Sequence, residues 1–126
     1  MNEIFLKGDS NNYLMLAIDE EFRKFGKLVV EIKVGCYFCR GISWFTFGEI
    51  QEFLKKVSKM YDEMKGTAKL ADSETNLDVV FSLNKRGFVV VNGRYKERFD
   101  QTNELIFELE LAQSQLHDFI ERLKAE

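Results

Sequence analysis

The side chains able to carry chemistry are few. Cys36 and Cys39 form a C-x-x-C, and His117 is the only histidine in the chain. A structural zinc site takes four ligands, and a redox pair works best at a helix N-terminus where the thiolate is stabilised. The chain has no further cysteine to complete a zinc set. On a strand, residues three apart point to opposite faces. The pair is read as two reduced structural thiols, with redox and metal roles as the alternatives, and no metal or cofactor is expected. His117 follows Leu116 and falls off the apolar stripe of the last helix, so it is read as a surface histidine. No Ser/His/Asp or Cys/His set is implied around it.

Paired carboxylates are the tools of glycoside hydrolysis. Glu104, Glu108 and Glu110 share the outward side of an alternating segment. Solvated there, they have nothing to raise a pKa. They form a charged sheet face or an acidic contact surface for a basic protein. Neither GxGxxG nor GxxxxGK[ST] occurs, so no phosphate loop is present. Arg40 and Trp44 lie with Phe38 and Ile42 on one side of the segment 37–47. That side is either core with the Arg40 head at its rim, or a Trp/Arg anchor of the kind that dominates protein interfaces.

The elements that position these residues follow from composition and periodicity. The chain has 126 residues, the length of one domain spanning 1–126. It is 45% hydrophobic and 31% charged, which excludes a disordered chain. No apolar run approaches the roughly 20 residues of a membrane helix. Net charge is −3; residues 1–66 balance at ten of each sign, and 67–126 carry eight basic and eleven acidic residues. Nucleic acid and membrane are therefore not expected partners. Twelve Phe point to a well-filled core, or to an aromatic-lined ligand cavity. Met1–Lys7 lacks a signal-peptide layout, so a cytoplasmic location is expected.

Glu3–Lys7 and Tyr13–Ile18 flank the turn cluster 8–12 as a hairpin, and 19–26 is a connection. Leu28–Val34 alternates with period two, Gly35-Cys36 fits a two-residue turn, and Tyr37–Phe47 returns. That return strand is apolar on both sides, which predicts a central or doubly covered strand. Thr46 and Glu49 fit a capping box, with Phe45 and Ile50 placed for a hydrophobic staple. Ile50, Phe53, Leu54, Val57, Met60, Tyr61 and Met64 then form one helical stripe ending near Gly66. Thr67–Ala71, Leu77–Leu83, Phe88–Tyr95 and Asn103–Leu111 read as strands, with a Gly87 hairpin and a loop over 96–102. Gln113 or Ser114 would cap a last helix with its stripe on Leu116, Phe119, Ile120 and Leu123. The expected fold is α+β: a mainly antiparallel sheet of seven to eight strands, with two helices (about 47–65 and 113–125) on one face.

This order resembles a known family. The strand pair Leu28–Phe47 runs into the helix Ile50–Met64. Gly66-Thr67-Ala68-Lys69-Leu70, Leu77–Leu83, the strand Gly87–Gly93, Asn103-Glu104-Leu105-Ile106-Phe107-Glu108 and a closing helix follow. From about Leu28 to Leu123 it is similar to the small bacterial immunity proteins of the wall-associated-protein (WapI-like) type. The resemblance implies a non-catalytic cytoplasmic antidote that binds a cognate toxin domain; it carries over no binding residues. An acidic face would steer association with a basic toxin. A small-molecule-binding α+β domain with an aromatic cavity is the alternative, and an enzyme would need perturbed acids converging in a cleft. On the interaction reading, the expected contact face is the sheet side opposite the helices, with Glu31, Lys33, Asp78, Glu104 and Glu108 as members and Arg40 and Trp44 as anchors.

Overall fold

A computed structural model describes residues 2–126 except Thr75 and Phe99. Phe99 belongs to the expected 96–102 loop and lies outside the described residues. In chain order come β1 (Asn2–Lys7), a 3-10 turn (Asp9–Asn11), β2 (Tyr13–Ile18), α1 (Glu20–Phe25), β3 (Lys27–Val34), β4 (Tyr37–Trp44) and α2 (Phe47–Glu63). Then follow β5 (Thr67–Ala71), β6 (Leu77–Leu83), β7 (Val89–Tyr95), β8 (Leu105–Leu111) and α3 (Gln113–Lys124).

Local chemistry accounts for most element ends. Thr46 Oγ1 accepts from Glu49 N at 3.1 Å and Thr46 N donates to Glu49 Oε1 at 2.8 Å, completing the capping box of α2. Phe45 and Ile50 are both buried, as a staple requires. α1 was not foreseen: Asp19 Oδ1 accepts from Glu21 N and Phe22 N at its start, and Gly26 ends it at φ +75. A Cβ at Gly26 would overlap the Phe45 carbonyl, so a glycine is required there on two counts. The expected side-chain cap on α3 does not form. Ala112 is its N-cap, and Gln113 instead donates from Nε2 to Gly87 O at 2.6 Å, tying the helix start to the β6–β7 turn.

The α+β class and the antiparallel strands are as expected, but the sheet is divided. Among the described residues eight strands form two four-stranded sheets, β1-β2-β3-β4 and β5-β6-β7-β8. Every pairing is between chain neighbours. β4 and β5 do not pair; side chains take the edge of β4 at Ile42 and Trp44, as described below. α2 packs on β5 and on α3, and α3 packs on β1. The helix pair thus spans from the edge of one sheet to the edge of the other. It does not lie flat on one face of a single sheet.

Alternation places Leu14, Leu16, Leu28, Val30 and Ile32 from the first sheet opposite Val79, Phe81, Val89, Val91 and Leu109 from the second, in one core. The stripes of α2 and α3 complete it. Phe53, Phe81 and Phe119 meet there with ring centroids 5.3 to 6.4 Å apart. Part of the phenylalanine surplus is therefore core filling.

Candidate functional site

β4 departs most from expectation. It is the last strand of its sheet, and its outer side is exposed. Phe38 is 60% exposed and Ile42 and Trp44 38% each. Both faces carry apolar side chains, as a buried strand's would, yet only Ser43 on the inner one is buried; Cys39 and Gly41 are half-buried and Tyr37 is exposed. The register sets Lys33 beside Phe38, Glu31 beside Arg40, Val29 beside Ile42 and Lys27 beside Trp44. These pairs make one outer face that is apolar at its edge and charged further in.

Glu31 organises that face. Arg40 Nη1 donates to its Oε1 at 2.7 Å, and Tyr13 Oη donates to its Oε2 at 2.6 Å. The Tyr13 hydroxyl first, and Arg40 after it, hold the Glu31 carboxyl below the usual carboxylate range against the opposing effect of burial. The same bond raises the Tyr13 phenol. Arg40 is thereby fixed in orientation while staying exposed. Lys33 turns back to the hairpin, donating to Gly35 O at 3.3 Å.

The edge of β4 is held by residues that sequence reasoning missed. Tyr95 Oη accepts from Ile42 N at 2.8 Å and donates to Ile42 O at 2.9 Å. Asp72 accepts from Trp44 N with Oδ2 and from Leu77 N with Oδ1, both at 3.1 Å. Ser73 donates from N and Oγ to Trp44 O. Asp72 is buried, and burial pushes its carboxyl up despite these backbone bonds. The Tyr95 phenol is also raised by burial. One signal was available: a glycine inside a strand marks close approach of another group. A Cβ on Gly41 would overlap the Tyr95 ring and hydroxyl.

The remaining predicted residues lie on the second sheet. Arg94 sits between Asp78 and Glu104, at 3.8 and 3.7 Å, and Lys69 reaches Asp78 at 3.7 Å. Glu108 is exposed opposite Asn92, and Ile106, 75% exposed, is opposite Arg94. The seven predicted residues thus divide: Glu31, Lys33, Arg40 and Trp44 on the first sheet, Asp78, Glu104 and Glu108 on the second. The expected single face does not exist. The two groups meet at a surface groove of about 610 Å³, lined by Arg40 of β4 together with Tyr95, Glu97, Glu104 and Ile106. A second groove continues it past Ile42 and Trp44 to Asn76. Neither is lined by a phenylalanine; their aromatic lining is Tyr37 and Tyr95 in the first and Trp44 and Tyr95 in the second.

The other chemical candidates stay apart. Cys36 is exposed and Cys39 half-buried, both free; burial, and then the charge of Glu97, push the Cys39 thiol up, away from a reactive thiolate. His117 is exposed, with its ring 5.5 Å from that of Tyr61. Among the described residues no group of three His, Cys, Asp or Glu side chains could hold a metal, and no helix is long and apolar enough to cross a membrane. The geometry offers a surface for contact: apolar side chains, a braced arginine and an acidic groove wall.

No curated protein and no solved structure gives a significant match to the chain. A family model does, over residues 5–126, nearly the whole length. Its members are immunity proteins, which are generally non-catalytic and whose family implies binding of a cognate toxin. The chain belongs to the immunity protein WapI-like family.

Proposed function

We propose that this protein is a non-catalytic antidote that neutralises a cognate toxin domain in the cytoplasm by stoichiometric binding, and that it binds through the outer face of β4 and the groove beside it. The observation that carries this reading is the row Phe38, Arg40, Ile42 and Trp44: three exposed apolar side chains around an arginine braced by Glu31. Exposed apolar side chains grouped on one strand mark a contact site, and Trp and Arg are the residues most enriched in interface hot spots. The acidic members of the second sheet, Glu104 and Glu108, would act at longer range, steering a basic domain toward the groove.

The test is co-expression with any toxin-like domain that sequencing finds encoded beside the gene. Growth rescue and co-purification of an equimolar complex are expected. Phe38→Ala with Trp44→Ala should weaken the complex by about 2 kcal/mol or more, roughly thirty-fold, with the fold intact. Failure of the wild-type chain to rescue removes the neutralisation reading. Rescue and affinity unchanged in the double variant move the contact surface elsewhere.

A further inference from the structure

The exposed face of β4 adjoins an open strand edge. In an antiparallel ladder, alternate residues send both backbone polar groups toward a given neighbour or both away from it. Ile42 and Trp44 send theirs away from β3, to Tyr95, Asp72 and Ser73. The β3–β4 register runs unbroken from Lys27–Trp44 to Val34–Tyr37, so Phe38 and Arg40 share that phase. Among the described residues nothing pairs with their outward N–H and C=O groups. Two donors and two acceptors, spaced as a strand spaces them, therefore face the groove.

The groove on that side has an apolar part in Tyr37, Tyr95, Leu105 and Ile106 and an acidic wall in Glu97 and Glu104. Arg94 lies 3.7 Å from Glu104. Glu97 has no ion-pair partner among the described residues, and the nearby Cys39 feels its charge. A second copy of the chain would bring its own Arg40 here already neutralised by Glu31. That carboxylate favours a cationic occupant of the groove over an anionic one.

We propose that β4 takes an extended basic segment of the neutralised protein as an added strand, paired through Phe38 and Arg40, with a lysine or arginine of that segment against Glu97. The inference rests on the neutralisation reading and gives its partner a shape and a charge. Strand addition of this kind draws affinity from main-chain bonds and specificity from alternate side chains.

The probe is a capped six-residue peptide alternating lysine and valine, titrated into the nitrogen-15-labelled full chain. Amide shifts and slowed exchange are expected at Phe38 and Arg40, saturating below about 1 mM. A glutamate–valine peptide should bind about ten-fold more weakly. Arg40→Pro, which removes one edge donor and is tolerated on an edge strand, should weaken binding by about ten-fold or more. Glu97→Gln keeps the edge and should cost about three-fold.

Absence of saturable shifts at Phe38 and Arg40, equal binding of the acidic peptide, or self-pairing through β4 without peptide each overturns the proposal. The growth assay separates it from the reading beneath it. Rescue by Arg40→Pro as strong as wild type overturns strand addition and leaves neutralisation standing. A wild-type chain that binds the peptide but rescues nothing overturns neutralisation, and with it the occupant named here.

Discussion

Gly41→Ala is the sharpest probe of how β4 is held. A Cβ on Gly41 would come 2.7 Å from Tyr95 Cε1 and closer still to Cζ and Oη, where ordinary contact begins near 3.4 Å. The strand cannot yield easily, because Gly41 is paired with Val30 in the buried half of the ladder. The phenol must therefore swing away, and both its bonds to Ile42 break. Two hydrogen bonds at about 0.5–1.5 kcal/mol each, added to an overpacking cost of about 1–3 kcal/mol, give a loss of about 2–6 kcal/mol. Tyr95→Phe should lose only the bonds, about 1–3 kcal/mol. Tyr95→Leu removes every ring atom that clashes. In that background Gly41→Ala should be neutral, or stabilising by up to about 1 kcal/mol through the restricted unfolded chain. Urea unfolding of the four proteins of this double-mutant cycle is the assay. With m of about 1–3 kcal/mol per M, the single-variant loss moves the midpoint by roughly 1 M or more. An equal penalty for Gly41→Ala in both backgrounds would refute the reasoning, placing the cost in the strand itself.

Other outcomes follow from the same face. Tyr13→Phe should let the Glu31 carboxyl rise toward its ordinary range, seen by carbon-13 titration of its carboxyl. Because the folded state lowers that pKa, Glu31 contributes stability above the ordinary carboxylate range and loses it as pH falls through the lowered value; the variant should lose that part of the acid-side slope, and an unchanged Glu31 titration would contradict this. Asp72→Asn leaves one acceptor oxygen for two backbone donors, Trp44 N and Leu77 N, and should cost about 1–3 kcal/mol in urea unfolding. The Asp72 pKa is raised in the fold, so its own contribution is fullest below the ordinary Asp range and falls as pH rises through the raised value. That decline should be missing in the variant. Charge reversal at Glu104 and Glu108 should slow association with the toxin domain at low salt and leave dissociation nearly unchanged, as stopped-flow mixing would show. No change in the association rate would remove these residues from steering.

What was legible in the chain was what local sequence decides. The capping box of Thr46 and Glu49, the stripe of α2, the alternation of Leu28–Val34 and the glycines of the 35–36 and 84–87 turns each determine their own few residues. α1 carried its signals too, in Asp19, the acidic first turn, Arg23 and Lys24 at the end, and Gly26. Its six residues bury only Phe22, too little to show a stripe. The division into two sheets was not legible, because no periodicity says whether β4 meets β5 across an intervening helix. Nor was the exposure of β4: an apolar row looks the same whether the fold covers it or leaves it for a partner. Asp72 and Tyr95 lie 28 and 53 residues from the strand groups they hold, a relation only the folded chain displays.

The neighbour-only pairing of both sheets bears on how the chain folds. Every strand pair is a contact between consecutive segments, so little loop-closure entropy is spent before hairpins begin to form. Strand pairing this local is of the kind that favours faster folding among β structures. The first meander is complete in the chain at Trp44, before α2 has been synthesised. It can assemble as a nascent unit, and the second sheet then docks through the helix pair, the shared core and the bonds of Asp72, Ser73 and Tyr95 to β4.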